Sequence, residues 1–256
     1  MRTLFTLFTL LLALTSSAHA QIVNTQPLIG RLDADGLSGE LNTHLEWRTG
    51  NVELFRLSAS ALLTWRCDDH ALLSSSSLEL GDRAGERFLF RTFTHLRYQY
   101  RLDDILTLEA FGQVAHDEFR RITVRALGGL GARLSLLTTD QTRLRLGLAY
   151  MFEHERFADS TTLTDSGERR DNHRASLYLD LRHDLTDRLG LGLTVFYQPS
   201  LTAFSDWQLA AESRLAVHLT KSLALTLQLH LAYDSTPPDD VATLDTATLV
   251  GLGWSF

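Results

Sequence analysis

Apolar and polar residues alternate along most of this chain after residue 38, in blocks of about ten residues separated by turn residues. Successive side chains of a β-strand point to opposite faces, so a period of two predicts strands with one apolar and one polar face. The clearest block has an apolar face made of Leu223, Leu225, Leu227, Leu229, Leu231 and Tyr233. In a helix these residues would surround the whole circumference and leave no polar face for water. Twelve such blocks predict an all-β protein.

The ends of these blocks favour a membrane barrel over an ordinary β-sandwich. Several blocks finish in aromatic residues, among them Tyr100, Phe152 and Tyr197, as expected of strands that meet lipid headgroups. After the N-terminal segment, no apolar stretch approaches the roughly 18 residues that a membrane helix needs. We therefore predict a transmembrane antiparallel up-and-down β-barrel of about 12 strands over residues 38–256.

The spacing between blocks supports the same interpretation. A barrel with both termini in the periplasm joins its strands by short turns on that side and by freer loops outside. Short turns are predicted at 101–104, 138–141, 185–188 and 220–222. Longer outer loops are predicted at 157–171, 199–206 and 235–244. The first hairpin, Thr49-Gly50-Asn51, is short although it would lie on the outer side.

The N-terminus is typical of an exported protein. Arg2, an apolar run at 4–14 and the ending Ala18-His19-Ala20 predict a cleaved signal peptide at 1–20, followed by a short periplasmic segment at 21–37. The single cysteine, Cys67, excludes a disulfide within the chain. Cleavage removes one arginine and no acidic residue, so the formal charge changes from -7 to -8, which argues against a nucleic-acid partner.

The C-terminal strand predicts the destination. One face of this strand resembles the assembly signal of outer-membrane barrels and consists of Val250, Leu252, Trp254 and Phe256. We expect a bacterial outer-membrane location, with membrane lipids and the barrel-assembly machinery as partners. The sequence makes no prediction of an oligomeric state.

If the apolar positions face lipid, their neighbours face the lumen. The lumen-facing charges would be Glu46, Arg91, Arg97, Glu109, Arg125, Arg133, Arg145, Glu153, Asp180, Arg182, Glu212 and Arg214. A lipid-facing Arg or Lys would cost about 2–4 kcal/mol at the midplane, so this segregation supports the barrel. The charges could form paired ladders that plug the lumen, which we favour, or an arginine-lined constriction that passes anions. Twelve strands are wide enough to leave a water-filled passage.

Other candidate sites have weaker support. The glycines of 128–131 lie inside an alternating block with no helix to receive a phosphate, so we interpret them as structural. The histidines lack zinc-site spacing, and we predict no metal, cofactor or catalytic residue. Asp171, His173 and Ser176 come closest to a hydrolase set, but alternation places Ser176 on the other face of the strand.

Several stretches together resemble the salt-induced outer membrane protein family, a group of Gram-negative barrels of unassigned activity. They are Gly36-Leu37-Ser38-Gly39, Thr49-Gly50-Asn51, His95-Leu96-Arg97-Tyr98, Asp117-Glu118-Phe119, Arg125, Gly129-Leu130-Gly131, Glu153, Glu155, Asp234-Ser235-Thr236-Pro237-Pro238 and Asp245. The resemblance leads us to expect an aromatic or acidic residue before Asp117, but this chain has His116 there. The resemblance implies an outer-membrane location and a role under salt or osmotic stress.

Two functional hypotheses follow. The first is a non-enzymatic barrel, either a narrow or plugged passive channel or a stress-related protein of the envelope. The second is an outer-membrane hydrolase with a site at the rim of the barrel.

The C-terminal residue gives a direct test of the membrane prediction. Deleting Phe256 should impair assembly into the outer membrane, because the terminal aromatic residue completes the predicted assembly signal. Heat-modifiable electrophoretic mobility of the membrane fraction measures the folded barrel. Normal barrel levels in the truncated protein would contradict the prediction.

Overall fold

A computed structural model of the chain describes residues 35–50, 53–220 and 223–254. Its twelve strands are β1 (Gly36–Arg48), β2 (Leu54–Cys67), β3 (His70–Arg83), β4 (Glu86–Arg101), β5 (Leu106–Asp117), β6 (Ile122–Thr138), β7 (Thr142–Phe157), β8 (Arg169–Thr186), β9 (Leu189–Pro199), β10 (Trp207–His218), β11 (Leu223–Asp234) and β12 (Leu244–Trp254). The predicted signal peptide, most of the segment at 21–37 and Phe256 lie outside the described residues.

Each strand pairs antiparallel with the next in one sheet, so the predicted all-β, twelve-stranded, up-and-down architecture is confirmed. The sheet curls into a barrel, because side chains of distant strands meet inside it. Tyr178 on β8 donates to Glu109 on β5 at 2.9 Å, and Arg125 on β6 donates to Gln208 on β10 at 3.2 Å. Hydrogen-bonded pairing of β12 with β1 is not found among the described residues.

The two faces of the wall have opposite character. Large apolar side chains, including Val114, Leu130 and Leu148, are exposed on the outer face. Charged side chains such as Arg97 and Glu153 are buried in the interior. A soluble protein has the reverse distribution, whereas a barrel wall in contact with hydrocarbon requires this one. Within the described ranges, no helix combines the length and apolarity needed to cross a membrane.

The connections lie at two ends of the barrel. At the short-turn end the strands are joined by 68–69, 102–105, 139–141 and 187–188, and residues 219–220 begin a fifth connection. At the long-loop end the connections are 84–85, 118–121, 158–168, 200–206 and 235–243, and residues 49–50 and 53 belong to a further one. The three predicted outer loops are therefore present at one end of the barrel. Ala84 and Gly85 both have positive φ angles, 52° and 83°, as in a type I′ hairpin turn.

Two predicted boundaries around β8 were wrong. The strand begins at Arg169, inside the predicted outer loop, because Arg169 and Arg170 pair with the end of β7. At the other end β8 continues to Thr186, so the turn is only 187–188 rather than 185–188. A register shift between Asp184 and Thr186 allows this extra pairing with β9.

A glycine on β7 makes room for a buried aromatic ring. Gly147 lies opposite Tyr178 in the register between β7 and β8, and a Cβ atom at residue 147 would overlap the Tyr178 ring. The ring covers the glycine and directs its hydroxyl to Glu109. Glycines covered by a cross-strand aromatic residue are a recurring feature of curved sheets.

Gly147→Ala should therefore destabilise the folded barrel by about 1–3 kcal/mol, because the new methyl group displaces the Tyr178 ring. Denaturant unfolding in detergent, followed by tryptophan fluorescence, measures the change. Gly192→Ala is the matched control, since the nearest atoms to its Cβ are 4.0 Å away. Equal effects of the two substitutions would contradict this account of Gly147.

Candidate functional site

The candidate site is the barrel interior, and its most buried part is an ionic group near the long-loop end. We call it the outer cluster, and it consists of Arg125, Glu153, Glu155, Arg174, Asp206 and Gln208. Glu153 is completely buried, with 0% exposure, and lies between two guanidinium groups. One Glu153 oxygen accepts from Arg125 Nε at 2.6 Å, and the other accepts from Arg174 Nε at 2.6 Å.

Further contacts complete the outer cluster. Asp206, from the loop after β9, accepts from Arg174 Nη1 and Nη2 at 3.0 and 3.1 Å. Glu155 Oε1 lies 3.2 Å from Arg125 Nε. Two-point contacts of this kind fix both the position and the plane of a guanidinium group. The cluster therefore ties β6, β7, β8, β10 and one outer loop together.

A second group, the middle cluster, crosses the interior from β4 and β5 to β8. It consists of Arg97, Gln99, Glu109, Arg133 and Tyr178. Glu109 accepts from Arg97 Nη1 at 2.9 Å, from Gln99 Nε2 at 2.7 Å and from the Tyr178 hydroxyl at 2.9 Å. These contacts fill one side of the lumen with side chains.

The long-loop end is partly covered by contacts between the outer loops. We call this group the loop clasp, and it consists of Arg121, Thr164, Asp165 and Asp239. Arg121 Nη2 donates to Asp165 at 2.7 Å, and the Thr164 hydroxyl donates to Asp239 at 2.6 Å. Arg120 also forms an ion pair with Asp245 at the start of β12.

The loop clasp favours the ionised form of its carboxyl groups. Burial alone would raise the pKa of Asp165, but hydrogen bonds from Arg121 and from the backbone N–H of Asp239 hold that pKa below its usual value. Hydrogen bonds from the side chain and backbone of Thr164 lower the pKa of Asp239. Both aspartates therefore remain charged at neutral pH.

The described residues enclose two large neighbouring cavities inside the barrel. The outer cavity, of about 290 Å³, is lined by residues that include Arg91, Asp117 and Arg120. The inner cavity, of about 500 Å³, reaches the short-turn end, where Thr139 and Gln141 line it. Thr194, Glu212 and His230 line both cavities. The outer cavity spans the lumen between β3–β6 and β9–β11, whereas the inner cavity lies against β7–β11.

The charges proposed for the lumen occupy several levels of the barrel. Arg91 pairs with Asp117 at 2.9 Å, and Glu46 lies 2.6 Å from Arg48. Arg182 and Arg214 line the inner cavity, while Arg145 lies opposite Asp180 in the register between β7 and β8. The lumen histidines include His95, which is buried, and His230, whose Nδ1 is 2.7 Å from Glu212.

Sequence reasoning missed Asp117, Glu155, Arg174 and Asp206 as interior charges. Alternation from Glu153 would have identified Glu155, and the same rule along β8 would have identified Arg174. Asp206 lies in a loop, where side chains follow no period. No sequence signal therefore placed Asp206 against Arg174.

The hydrolase residues do not meet. Ser176 is buried inside the barrel and accepts a hydrogen bond from Gln198 at 3.1 Å. His173 contacts the Tyr150 hydroxyl at 2.6 Å, and Asp171 contacts His154 at 2.6 Å.

Residues 128–131 lie within β6, as the interpretation of these glycines required. In the part of the chain that the structure describes, no group of three His, Cys, Asp or Glu residues could hold a metal ion.

Glu153 allows a test of the outer cluster. Glu153→Gln should reduce the free energy of unfolding by about 3 kcal/mol, because two buried guanidinium groups lose a shared counter-charge. Denaturant unfolding in detergent measures this loss.

Glu168→Gln is the control for that substitution. It breaks the partly exposed ion pair between Glu168 and Arg170 and should cost less than about 1 kcal/mol. A loss at Glu153 no larger than at Glu168 would show that the outer cluster does not stabilise the barrel.

Comparison with solved structures shows only distant similarity. The NanC porin is 9% identical, with 85% of this chain and 100% of that chain covered and a TM-score of 0.49. The KdgM porin is 10% identical, with 86% of this chain and 99% of that chain covered and a TM-score of 0.41. The toluene transporter TodX of Pseudomonas putida is 11% identical, with 86% of this chain and 78% of that chain covered and a TM-score of 0.44. At these TM-scores the similarities identify no activity or substrate for this chain.

Sequence comparison is more informative about the family. No curated protein sequence matches the chain. One protein family matches residues 45–256, which include all of β2 to β12. The chain therefore belongs to the family described as "Protein of unknown function, DUF481".

Proposed function

We propose that this protein is a non-enzymatic barrel of the bacterial outer membrane that provides a narrow passive passage for small polar solutes. The apolar outer face suits contact with lipid, and the buried charges suit a water-accessible interior. In this arrangement the short-turn end faces the periplasm and the long-loop end faces outward, with both chain termini in the periplasm.

The observation that carries the proposal is a pair of neighbouring cavities that share Thr194, Glu212 and His230 as lining residues. A barrel filled only for stability would have side chains at this level on every side. Instead the middle cluster fills the lumen next to β4, β5 and β8, and open space lined by polar groups lies against β9 to β11 in both cavities. Filled and open regions therefore share one lumen.

The long-loop end sets the width of the proposed passage. The outer cavity extends to Asp117 and Arg120, close to the ion pair of Arg120 with Asp245. The loop clasp covers part of the same end. We infer a small conductance, because solutes must pass these charged contacts.

The final strand supports assembly by the barrel-assembly machinery in this proposal. Val250 is 64% exposed, and its partner in the register is the exposed Leu227 of β11. Leu252 and Trp254 pair with Leu225 and Leu223 of β11 in the same register. Phe256 lies beyond the described residues, and its contribution stays a prediction.

The resemblance to salt-induced barrels adds a physiological role to the proposal. A narrow passage in the outer membrane could serve cells under salt or osmotic stress, and this role stays a prediction. The hydrolase hypothesis has no comparable support, since Ser176 and His173 lie on opposite faces of the wall.

Planar-bilayer recordings test the passage. The purified protein should give single-channel steps, and Thr194→Trp should reduce them at least about twofold, because the indole fills the junction of the two cavities. Val195→Trp is the matched control, since the adjacent residue on β9 points to the outer face and should leave the conductance unchanged.

Two outcomes would contradict the proposal. One is the absence of conductance steps for the wild type at any salt concentration. The other is an unchanged conductance in Thr194→Trp, with heat-modifiable mobility showing that the variant is folded.

A further inference from the structure

The outer cavity contains an apolar surface that a passage for polar solutes does not require. We call it the apolar belt, and it consists of Phe93, Ala115, Ile122, Phe196 and Ala210. These residues belong to β4, β5, β6, β9 and β10. The interior of a membrane barrel is usually polar, because it is in contact with water. Apolar surface beside water is unfavourable, so the belt favours an apolar partner inside the lumen.

The residues of the belt interrupt polar faces of their strands. On β4 the inward positions before and after Phe93 are Arg91 and His95. On β9 the inward neighbours of Phe196 are polar as well. Some other inward apolar side chains, such as the completely buried Met151, line neither cavity and fill space within the wall. The belt differs from these residues because it borders open space.

The belt forms two patches on facing walls of the cavity. In the strand register Phe93 is directly opposite Ala115 of β5, and Phe196 is directly opposite Ala210 of β10. The small alanine side chains leave space next to each ring. The Phe196 ring is held by Tyr178, with 5.4 Å between the ring centroids. Aromatic rings pack favourably edge to face or with an offset, so the two phenylalanines favour an aromatic ligand.

Two serine hydroxyl groups adjoin the apolar belt. Ser75 and Ser77 of β3 line the same cavity, and Ser77 is directly opposite Phe93 in the register. Both serines are half-buried, so they are accessible from the cavity. Among the described residues, neither hydroxyl group has a hydrogen-bond partner. A hydroxyl group can both donate and accept, so these serines can bind a neutral polar group of a solute that lies on the belt.

The charged residues around the cavity favour a neutral ligand. Arg91 pairs with Asp117 at 2.9 Å, and His230 lies 2.7 Å from Glu212. The other charged lining residues also have partners: Arg120 pairs with Asp245, Arg125 pairs with Glu153, and Glu79 takes part in a further interaction. A charged ligand would lose its hydration and find no free counter-charge in the cavity wall.

We propose that the outer cavity binds a small neutral aryl alcohol, with the aromatic ring on the apolar belt and the hydroxyl group hydrogen-bonded to Ser75 or Ser77. Ligand sites in proteins typically combine apolar walls with a few polar groups that fix the orientation of the ligand. The belt and the two serines provide both elements. The charged pairs at the ends of the cavity exclude neither face of such a ligand, because it has no charge.

The size of the cavity suits this ligand. A dry apolar cavity of about 150 Å³ can hold one benzene molecule. The outer cavity, of about 290 Å³, therefore has room for a benzene ring and a short substituent. The site rests on the proposed passage for access to the lumen, and it deepens that function by naming the class of small polar solute that the passage favours.

Fluorine NMR titration of the folded protein in detergent tests the site at neutral pH. The probe is 4-fluorobenzyl alcohol, and protein-free micelles measure its partition into detergent. We expect saturable binding of this probe. The comparison probes 4-fluorobenzoate and 4-fluorobenzylamine have the same ring but carry a charge, and a fluorinated glucose is neutral but has no apolar ring. Each of these three should bind at least about tenfold more weakly.

Substitutions on β5 test the location of the ring. Ala115→Phe should abolish saturable binding of 4-fluorobenzyl alcohol, because the new side chain occupies the space beside Phe93. Val114→Phe is the matched control on the same strand. Val114 is 55% exposed on the outer face, so this substitution should leave the affinity within about twofold.

Substitutions on β3 test the hydroxyl contact. The double substitution Ser75→Ala and Ser77→Ala should weaken binding about three- to tenfold, because the alcohol loses its hydrogen bond. The double substitution Ser74→Ala and Ser76→Ala is the matched control, since these serines lie on the other face of the same strand and should not affect binding.

The proposal fails if the alcohol does not bind saturably, if any comparison probe binds as tightly, or if the two β5 variants have equal effects. Equal effects of the two serine variants would overturn the hydroxyl contact. Heat-modifiable mobility verifies that each variant is folded. Binding of the alcohol without conductance steps would overturn the passage and leave the site intact. Conductance without binding would do the opposite.

Discussion

The balance of charge around Glu153 is the interaction on which the interior depends. Its carboxylate is fully buried and lies between Arg125 and Arg174, which in turn contact Glu155 and Asp206. A buried ion is tolerated only when counter-charges and hydrogen bonds replace its water. The strands that supply these groups must therefore keep their register, and the loop with Asp206 must close over them.

This constraint follows from the apolar outer face of the wall. Charged side chains on the strands point inward, where arginine and carboxylate groups must either pair or stay hydrated. The middle cluster shows the first solution, in which Glu109 binds Arg97, Gln99 and Tyr178. The inner cavity shows the second, because charged side chains such as Arg143, Arg214 and Glu212 line its open space. Filled and open regions can thus coexist in one lumen.

The alternation of apolar and polar residues was enough to predict strand number, order and facing. It gave the inward direction of Arg97, Glu109 and Glu153, because facing depends only on position along a strand. It could not give the partners of those residues. The contact of Arg125 with Gln208, and that of Tyr178 with Glu109, join residues far apart in sequence and depend on how the sheet curls. The limits of β8 were misjudged because its first residues are polar and resemble a loop.

The sequence by itself determined a twelve-stranded, up-and-down β-sheet with an apolar outer face and a charged inner face, since a period of two leaves no other arrangement that hides these charges from lipid. Only the tertiary structure decided which parts of the lumen are filled and which are open. That division depends on the curvature of the wall and on the reach of individual side chains, such as Tyr178 over Gly147. Neither quantity has a periodic signature in the sequence.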